Sequence, residues 1–184
     1  MLVITSEYAS GAIRSTLQAT PIRGRVLAAK ALAVVPVMFA AGVLSGGVST
    51  AVVYTVLSID VFGGFVVLPL HEVVRDLLSM GLFYALISVM TIGVGTAVRS
   101  AAGTLTVAFM LLMGLPLMLL TTGNQAALKV SLRMPFAGLA FMGSTDNLTG
   151  GPIPYGGREG LAWLLAWTVA ALAAGHAVLR RRDA

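Results

Sequence analysis

Residues 31–57 read ALAVVPVMFAAGVLSGGVSTAVVYTVL. No charged side chain interrupts the run, and its one helix-breaking residue is Pro36. A helix rises about 1.5 Å per residue, so this stretch exceeds the roughly 30 Å hydrocarbon core of a bilayer. It reads as a membrane span that must tilt, bend at Pro36 or protrude. Three further stretches share its character: Leu77–Val98, Ala101–Thr121 and Leu161–Leu179. In the third span, Gly114 and Pro116 are expected to break the helix. The expected fold is all-α, a polytopic membrane helix bundle with four transmembrane helices over residues 31–184.

Composition requires the same conclusion. Of 184 residues, 58% are hydrophobic and 10% charged, and the mean hydropathy is +0.94. A soluble domain carries about 25% charged residues, so this chain lacks the side chains for a water-facing shell. It has no cysteine, which excludes disulfides, thiolate metal sites and cysteine nucleophiles. Met1–Ile4 is too short an apolar run to serve as a cleavable leader.

The connections differ in kind. Only Arg99 and Ser100 separate the second and third spans, so these form a tight hairpin. Residues 122–160 make one long outer segment. Ala126–Leu132 and Met134–Met142 within it are apolar enough to lie in the interface or dip into the membrane, and GGPIPYGG at Gly150–Gly157 then interrupts the pattern.

Lysine and arginine set the orientation. Arg14, Arg23, Arg25, Lys30, Arg99, Arg180, Arg181 and Arg182 fall on one side, with Glu7 and Asp183. Arg75, Lys129, Arg133 and Arg158 fall on the other, with Asp60, Glu72, Asp76, Asp146 and Glu159. Both termini are therefore expected in the cytoplasm, with the protein multi-pass in the inner (plasma) membrane. The net charge of +5 reports this bias and not nucleic-acid binding. Trp163 and Trp167, four apart at the outer end of the last span, fit an aromatic interface anchor, and Arg180, Arg181 and Arg182 anchor its inner end.

Small residues recur at helix-packing spacing: Gly42-Val-Leu-Ser-Gly46, Gly93-Val-Gly95 and Ala170–Gly175. They are read as packing within one chain, with a dimer seam as the alternative.

Chemical machinery is sparse. His71 and Glu72 are adjacent, in a short outer loop with Asp76 nearby, which is a poor ligand set, and no metal site is expected. His176 falls in the last turn before Arg180 and is read as interfacial. No acidic residue lies in the middle of a span, which weakens an ion-coupled carrier. There is no G-x-x-x-x-G-K-[ST], no G-x-S-x-G and no H-E-x-x-H. The chain is therefore expected to be no enzyme and to hold no cofactor. Asn147-Leu-Thr149 is a formal glycosylation triplet read as an ordinary turn.

Upstream of the first span, residues 4–30 read ITSEYASGAIRSTLQATPIRGRVLAAK. Ser6 is the expected N-cap, with Glu7 placed where the helix dipole favours an anion. Ala9, Ile13, Thr16 and Leu17 share one apolar face. Pro21 ends the helix, and Arg23, Gly24 and Arg25 make a basic elbow. An amphipathic helix lying on the membrane without a partner would show the same pattern.

The pattern Glu7-Tyr8-x-x-Gly11-x-Ile13-Arg14-x-Thr16-Leu17-x-x-x-Pro21-x-Arg23-x-Arg25, followed by Lys30 opening a span, resembles the cytoplasmic loop of ABC-2 type transporter permeases of the actinobacterial type. The tail Leu179-Arg-Arg-Arg-Asp-Ala184 is similar to the usual end of that group. So is a long outer segment before the last helix, which in the family forms re-entrant hairpin helices. The resemblance implies that residues 1–30 hold a coupling helix that docks into a groove on a separate ATP-binding subunit, with Glu7, Tyr8, Gly11, Ile13, Arg14 and Leu17 carrying the docking. It implies an ATP-driven exporter working as a homodimer or a heterodimer with a second permease. The family has six membrane helices and its coupling helix follows the second. The four spans here would be the third to sixth, and the first two are expected to be missing. Two other readings stand beside this one: a nucleotide-independent channel or carrier, and a non-transporting scaffold such as an immunity or assembly subunit. The apolar span interiors suit a lipid, a hydrophobic drug or a peptide equally.

Overall fold

The computed structural model describes residues 23–57, 69–141 and 153–182. In chain order these form α1 (Arg23–Leu57), α2 (Leu70–Val98), α3 (Ala101–Thr121), α4 (Gln125–Ser131), α5 (Gly138–Phe141, led by a 3-10 turn at Pro135–Ala137) and α6 (Gly157–Arg182). Every regular element among the described residues is helical. Four of them, α1, α2, α3 and α6, are long and apolar enough to cross a membrane. The chain is an all-α, multi-pass membrane bundle.

The helices outrun the spans read from the sequence. Arg23 to Arg25, expected as an elbow, form the first turn of α1, which continues through Pro36 for 35 residues. At about 1.5 Å per residue it is roughly 50 Å long. α2 starts at Leu70 rather than Leu77, so His71, Glu72 and Asp76 ride on its opening turns and not in a loop. Charges mark where an apolar layer ends, whereas arginine, lysine and glutamate are good helix formers and leave the backbone ladder intact. Pro69 precedes α2 in an extended conformation, and Glu72 in the first turn meets the positive end of the helix dipole.

The third span is not broken either. Between Met110 and Gly114 it widens into a π turn, in which the Leu115 N–H reaches back to the Met110 carbonyl. Proline has no N–H to give and its ring presses on the carbonyl four residues earlier. The wider turn opens the ladder where Pro116 needs room, and α3 runs on to Thr121.

α2 is the central helix: 44% of its apolar stretch is buried, against 11% in α1 and 17% in each of α3 and α6. Glycines set its contacts. A side-chain carbon on Gly42 of α1 would stand 2.8 Å from the Cα of Gly81, and one on Gly81 would strike Phe39 and Val43. On the other side, a side-chain carbon on Gly175 of α6 would collide with the Thr96 hydroxyl. The small residues read as helix-packing motifs are thus filled by helices of the same chain, and the backbones approach as closely as glycine permits. Leu27, Ile92, Val34 and Leu172 close a core where α1, α2 and α6 meet.

Hydroxyls inside the spans are turned back on their own helices. Thr91 Oγ1 donates to the Ile87 carbonyl at 2.7 Å, Thr96 Oγ1 to Gly93 at 2.7 Å, and Thr104 Oγ1 to Ser100 at 2.6 Å. Where water is absent this satisfies each hydroxyl locally. Thr168 reaches further: its Oγ1 donates to Leu164 at 2.8 Å and lies 3.4 Å from the Leu86 carbonyl across the α2–α6 contact.

α3 packs on α2 beside the hairpin and meets α4 and the Pro135 turn at its far end. At the hairpin, Arg99 takes a left-handed conformation (φ 57°, ψ 16°) and Ser100 caps α3 by accepting from the Gly103 N–H. α4 and α5, folded between the third and last spans, form a short helical cap on one end of the bundle.

Candidate functional site

The docking residues expected on the first helix, Glu7, Tyr8, Gly11, Ile13, Arg14 and Leu17, lie outside the described residues, as do Asn147–Thr149. The described part of the molecule has two chemically distinct ends. One holds Lys30, the Arg99–Ser100 hairpin, His176 and the last turn of α6 with Arg180, Arg181 and Arg182. Here Gly24 of α1 lets the His176 imidazole approach: a side-chain carbon on that glycine would sit 3.4 Å from His176 Cε1. The imidazole is half-buried between two helices rather than reaching outward.

The other end holds the cap and both tryptophans. α4 begins at Asn124, whose side-chain oxygen accepts from the Ala126 N–H at 2.8 Å, and it ends at Ser131. Ser131 is buried, and its Oγ donates to the Pro116 carbonyl at 2.9 Å. The cap is thereby tied to α3 just beyond the π turn. Gly138 ties it to the rest of the bundle, since any side chain there would strike Phe83 of α2 and Leu164 of α6.

Trp163 and Trp167 sit on the first turns of α6, facing this cap. The Trp167 indole N–H donates to the Arg133 carbonyl at 2.8 Å, and the Trp163 N–H reaches the Glu159 carboxylate at 3.5 Å. The Arg133 guanidinium lies over the Trp163 ring, 5.7 Å from its centroid, a cation–π contact. Its Nη1 also donates to the Lys129 carbonyl at 2.9 Å. Tyr155, just before α6, donates its hydroxyl to the Leu132 carbonyl. Burial raises the Tyr155 pKa above 10.0, the Glu159 carboxylate raises it further, and Arg133 opposes both. The tryptophans were expected as aromatic interface anchors. Their indole nitrogens also hold protein groups, and Trp167 pins the cap to α6.

Between the cap and α6 lies a groove of about 440 Å³, lined by Val130, Arg133, Met134, Trp163, Ala166, Trp167 and Ala170. Its walls are almost wholly apolar, and Arg133 supplies the one formal charge among them. Sequence reading counted Arg133 only among the outer-side charges and gave Tyr155 no role. One signal was available, since Arg133 is a lone cation between two apolar runs, Ala126–Leu132 and Met134–Met142. Among the described residues no three histidine, aspartate or glutamate side chains gather as a metal site.

Fold and site together define a multi-pass α-helical membrane protein with a helical cap and, at one end, an apolar groove lined by two tryptophans and Arg133. Comparison with known protein families, curated proteins and solved structures returns no match.

Proposed function

We propose that the chain is a membrane-spanning permease subunit of an ATP-binding cassette exporter, taking up motion from a separate ATPase subunit. The cap carries this reading. Between the third and last spans the described residues hold two short helices, Gln125–Ser131 and Gly138–Phe141, where the resemblance to ABC-2 permeases calls for re-entrant hairpin helices. The basic side, with both termini, would face the cytoplasm, and the cap would face outward. In this arrangement the segment from Glu7 to Leu17, expected from its sequence to be helical, docks on the ATPase, and α1, which follows it in the chain, receives the push. A short helix with one apolar face and flanking charges suits a groove on such a partner.

The test is co-purification. The tagged chain, co-expressed with any ATP-binding subunit encoded near it, should retain that subunit. Glu7→Lys or Gly11→Trp should release it while leaving the membrane fraction of the permease unchanged. Failure to retain any neighbouring ATPase would sink the proposal. Efflux that persists with a hydrolysis-dead ATPase would favour a nucleotide-independent carrier.

A further inference from the structure

We infer that the groove between the cap and α6 is a binding site for a single anionic phospholipid, with its phosphate on Arg133 and one acyl chain along the face of α6. The site is independent of whether the chain couples to an ATPase.

The groove's shape fits a chain. Trp163, Ala166, Trp167 and Ala170 follow the i, i+3, i+4, i+7 pattern and so form one stripe along α6. Two large rings alternate with two methyl groups, leaving a trough parallel to the helix axis and about 10 Å long. Val130 and Met134 make the facing wall. A volume of about 440 Å³ lies within the range of sites that hold small organic ligands, about 300–1,000 Å³. The helix spans the membrane, so the trough runs in the direction of lipid chains.

The groove's polarity fits an amphiphile. Arg133 is stacked on Trp163, at the end of the stripe nearest the start of α6. Ala170, about two turns further on, is purely apolar. Charge thus lies at one end of the trough and hydrocarbon at the other. Arg133 is exposed and uses one of its five N–H donors on the Lys129 carbonyl. Among the described residues no other hydrogen bond engages its guanidinium, whose planar fork suits the paired bonds that a phosphate accepts. The close acid–base contacts among the described residues, His71–Glu72 and Arg75–Asp76, involve neither Arg133 nor Lys129. Lys129, exposed one helical turn earlier, adds a second positive charge to the cap. Glu159 is the opposing carboxylate, and it is engaged with the Trp163 indole. Basic groups beside membrane helices favour anionic headgroups over zwitterionic ones.

The chain carries its own probe. It has two tryptophans, and both line the groove. The full-length protein, reconstituted in phosphatidylcholine vesicles, is titrated with phosphatidylglycerol brominated on its acyl chains, and in parallel with brominated phosphatidylcholine. Tryptophan quenching should favour the anionic lipid by about fivefold in apparent affinity. Arg133→Gln should abolish the preference and Arg133→Lys should keep most of it, which separates lost charge from lost fold. Ala170→Phe, filling the trough from an exposed position, should weaken quenching by both lipids at unchanged helicity. Quenching that simply follows mole fraction for both lipids overturns the inference. So does a preference that survives Arg133→Gln, or quenching unaffected by Ala170→Phe.

Discussion

Gly93 of α2 and Ala171 of α6 meet backbone to backbone: a side-chain carbon at Gly93 would stand 2.5 Å from the Ala171 carbonyl carbon and 2.6 Å from its oxygen. A side chain can rotate away from an intruder, but a helix backbone cannot. Gly93→Leu must therefore push α6 off the central helix, at a cost at or above the usual 1–3 kcal/mol for overpacking, roughly. Gly47→Ala is the internal control. Its new methyl would meet nothing nearer than Leu77 at 3.9 Å, and alanine is the better helix former by about 1 kcal/mol. Unfolding in mixed micelles, followed by helical circular dichroism, should show a large loss for the first and none for the second.

The hairpin carries backbone strain at Arg99, the one non-glycine residue with positive φ among the described residues. A left-handed conformation costs an L-residue about 1–2 kcal/mol, and more when the side chain branches at Cβ. Arg99→Val should destabilise the α2–α3 hairpin beyond that figure, whereas Arg99→Gly should keep its geometry. Comparing both variants in the same unfolding assay separates conformation from charge.

Ser131 gives α3 and the cap a shared hydrogen bond, from its Oγ to the Pro116 carbonyl. Such bonds within membrane proteins average about 0.6 kcal/mol and reach about 1.7 kcal/mol. Ser131→Ala should cost an amount in that range, and the loss should be local. Hydrogen exchange should speed up across α4 while the amides of α2 stay protected.

The pH response of the cap follows from Tyr155. Its raised pKa means that the folded protein holds the phenolic proton more tightly than the unfolded chain does. Stability from this group is therefore full below about pH 10 and is lost as pH rises through the higher folded value. Wild-type protein should become easier to unfold as the solution is taken above pH 10. Tyr155→Phe should be flatter over the same window, and a difference spectrum of the two should show one tyrosinate forming late.

Much of this architecture is readable from residues alone, and for a definite reason. Twenty apolar residues without a charge have few alternatives to a membrane helix, so all four spans and the Arg99–Ser100 hairpin follow from local composition. The packing role of Gly42 and Gly93 was legible from their spacing with other small residues. Helix starts were not, because Arg23 to Lys30 and His71 to Asp76 continue a backbone ladder past the limit of hydrophobicity. The π turn was hidden since Gly114 and Pro116 announce a disturbance without saying how the ladder absorbs it. The groove was hidden for another reason: Arg133 meets Trp163 and Trp167 only after the cap folds back across some thirty residues, and no periodicity records that contact.

The π turn has a geometric consequence for α3. Each helical residue turns the chain by about 100°, and the widened turn takes up one residue beyond a regular helix. From Thr104 to Pro116, an uninterrupted helix would leave these two side chains about 120° apart around the axis. With one step absorbed they fall within about 20° of each other. Thr104, Ala108 and Pro116 are all buried, on what is thereby a single seam. The insertion acts as a phase corrector: it lets one helix keep the same side toward the hairpin at its start and toward the cap at its finish.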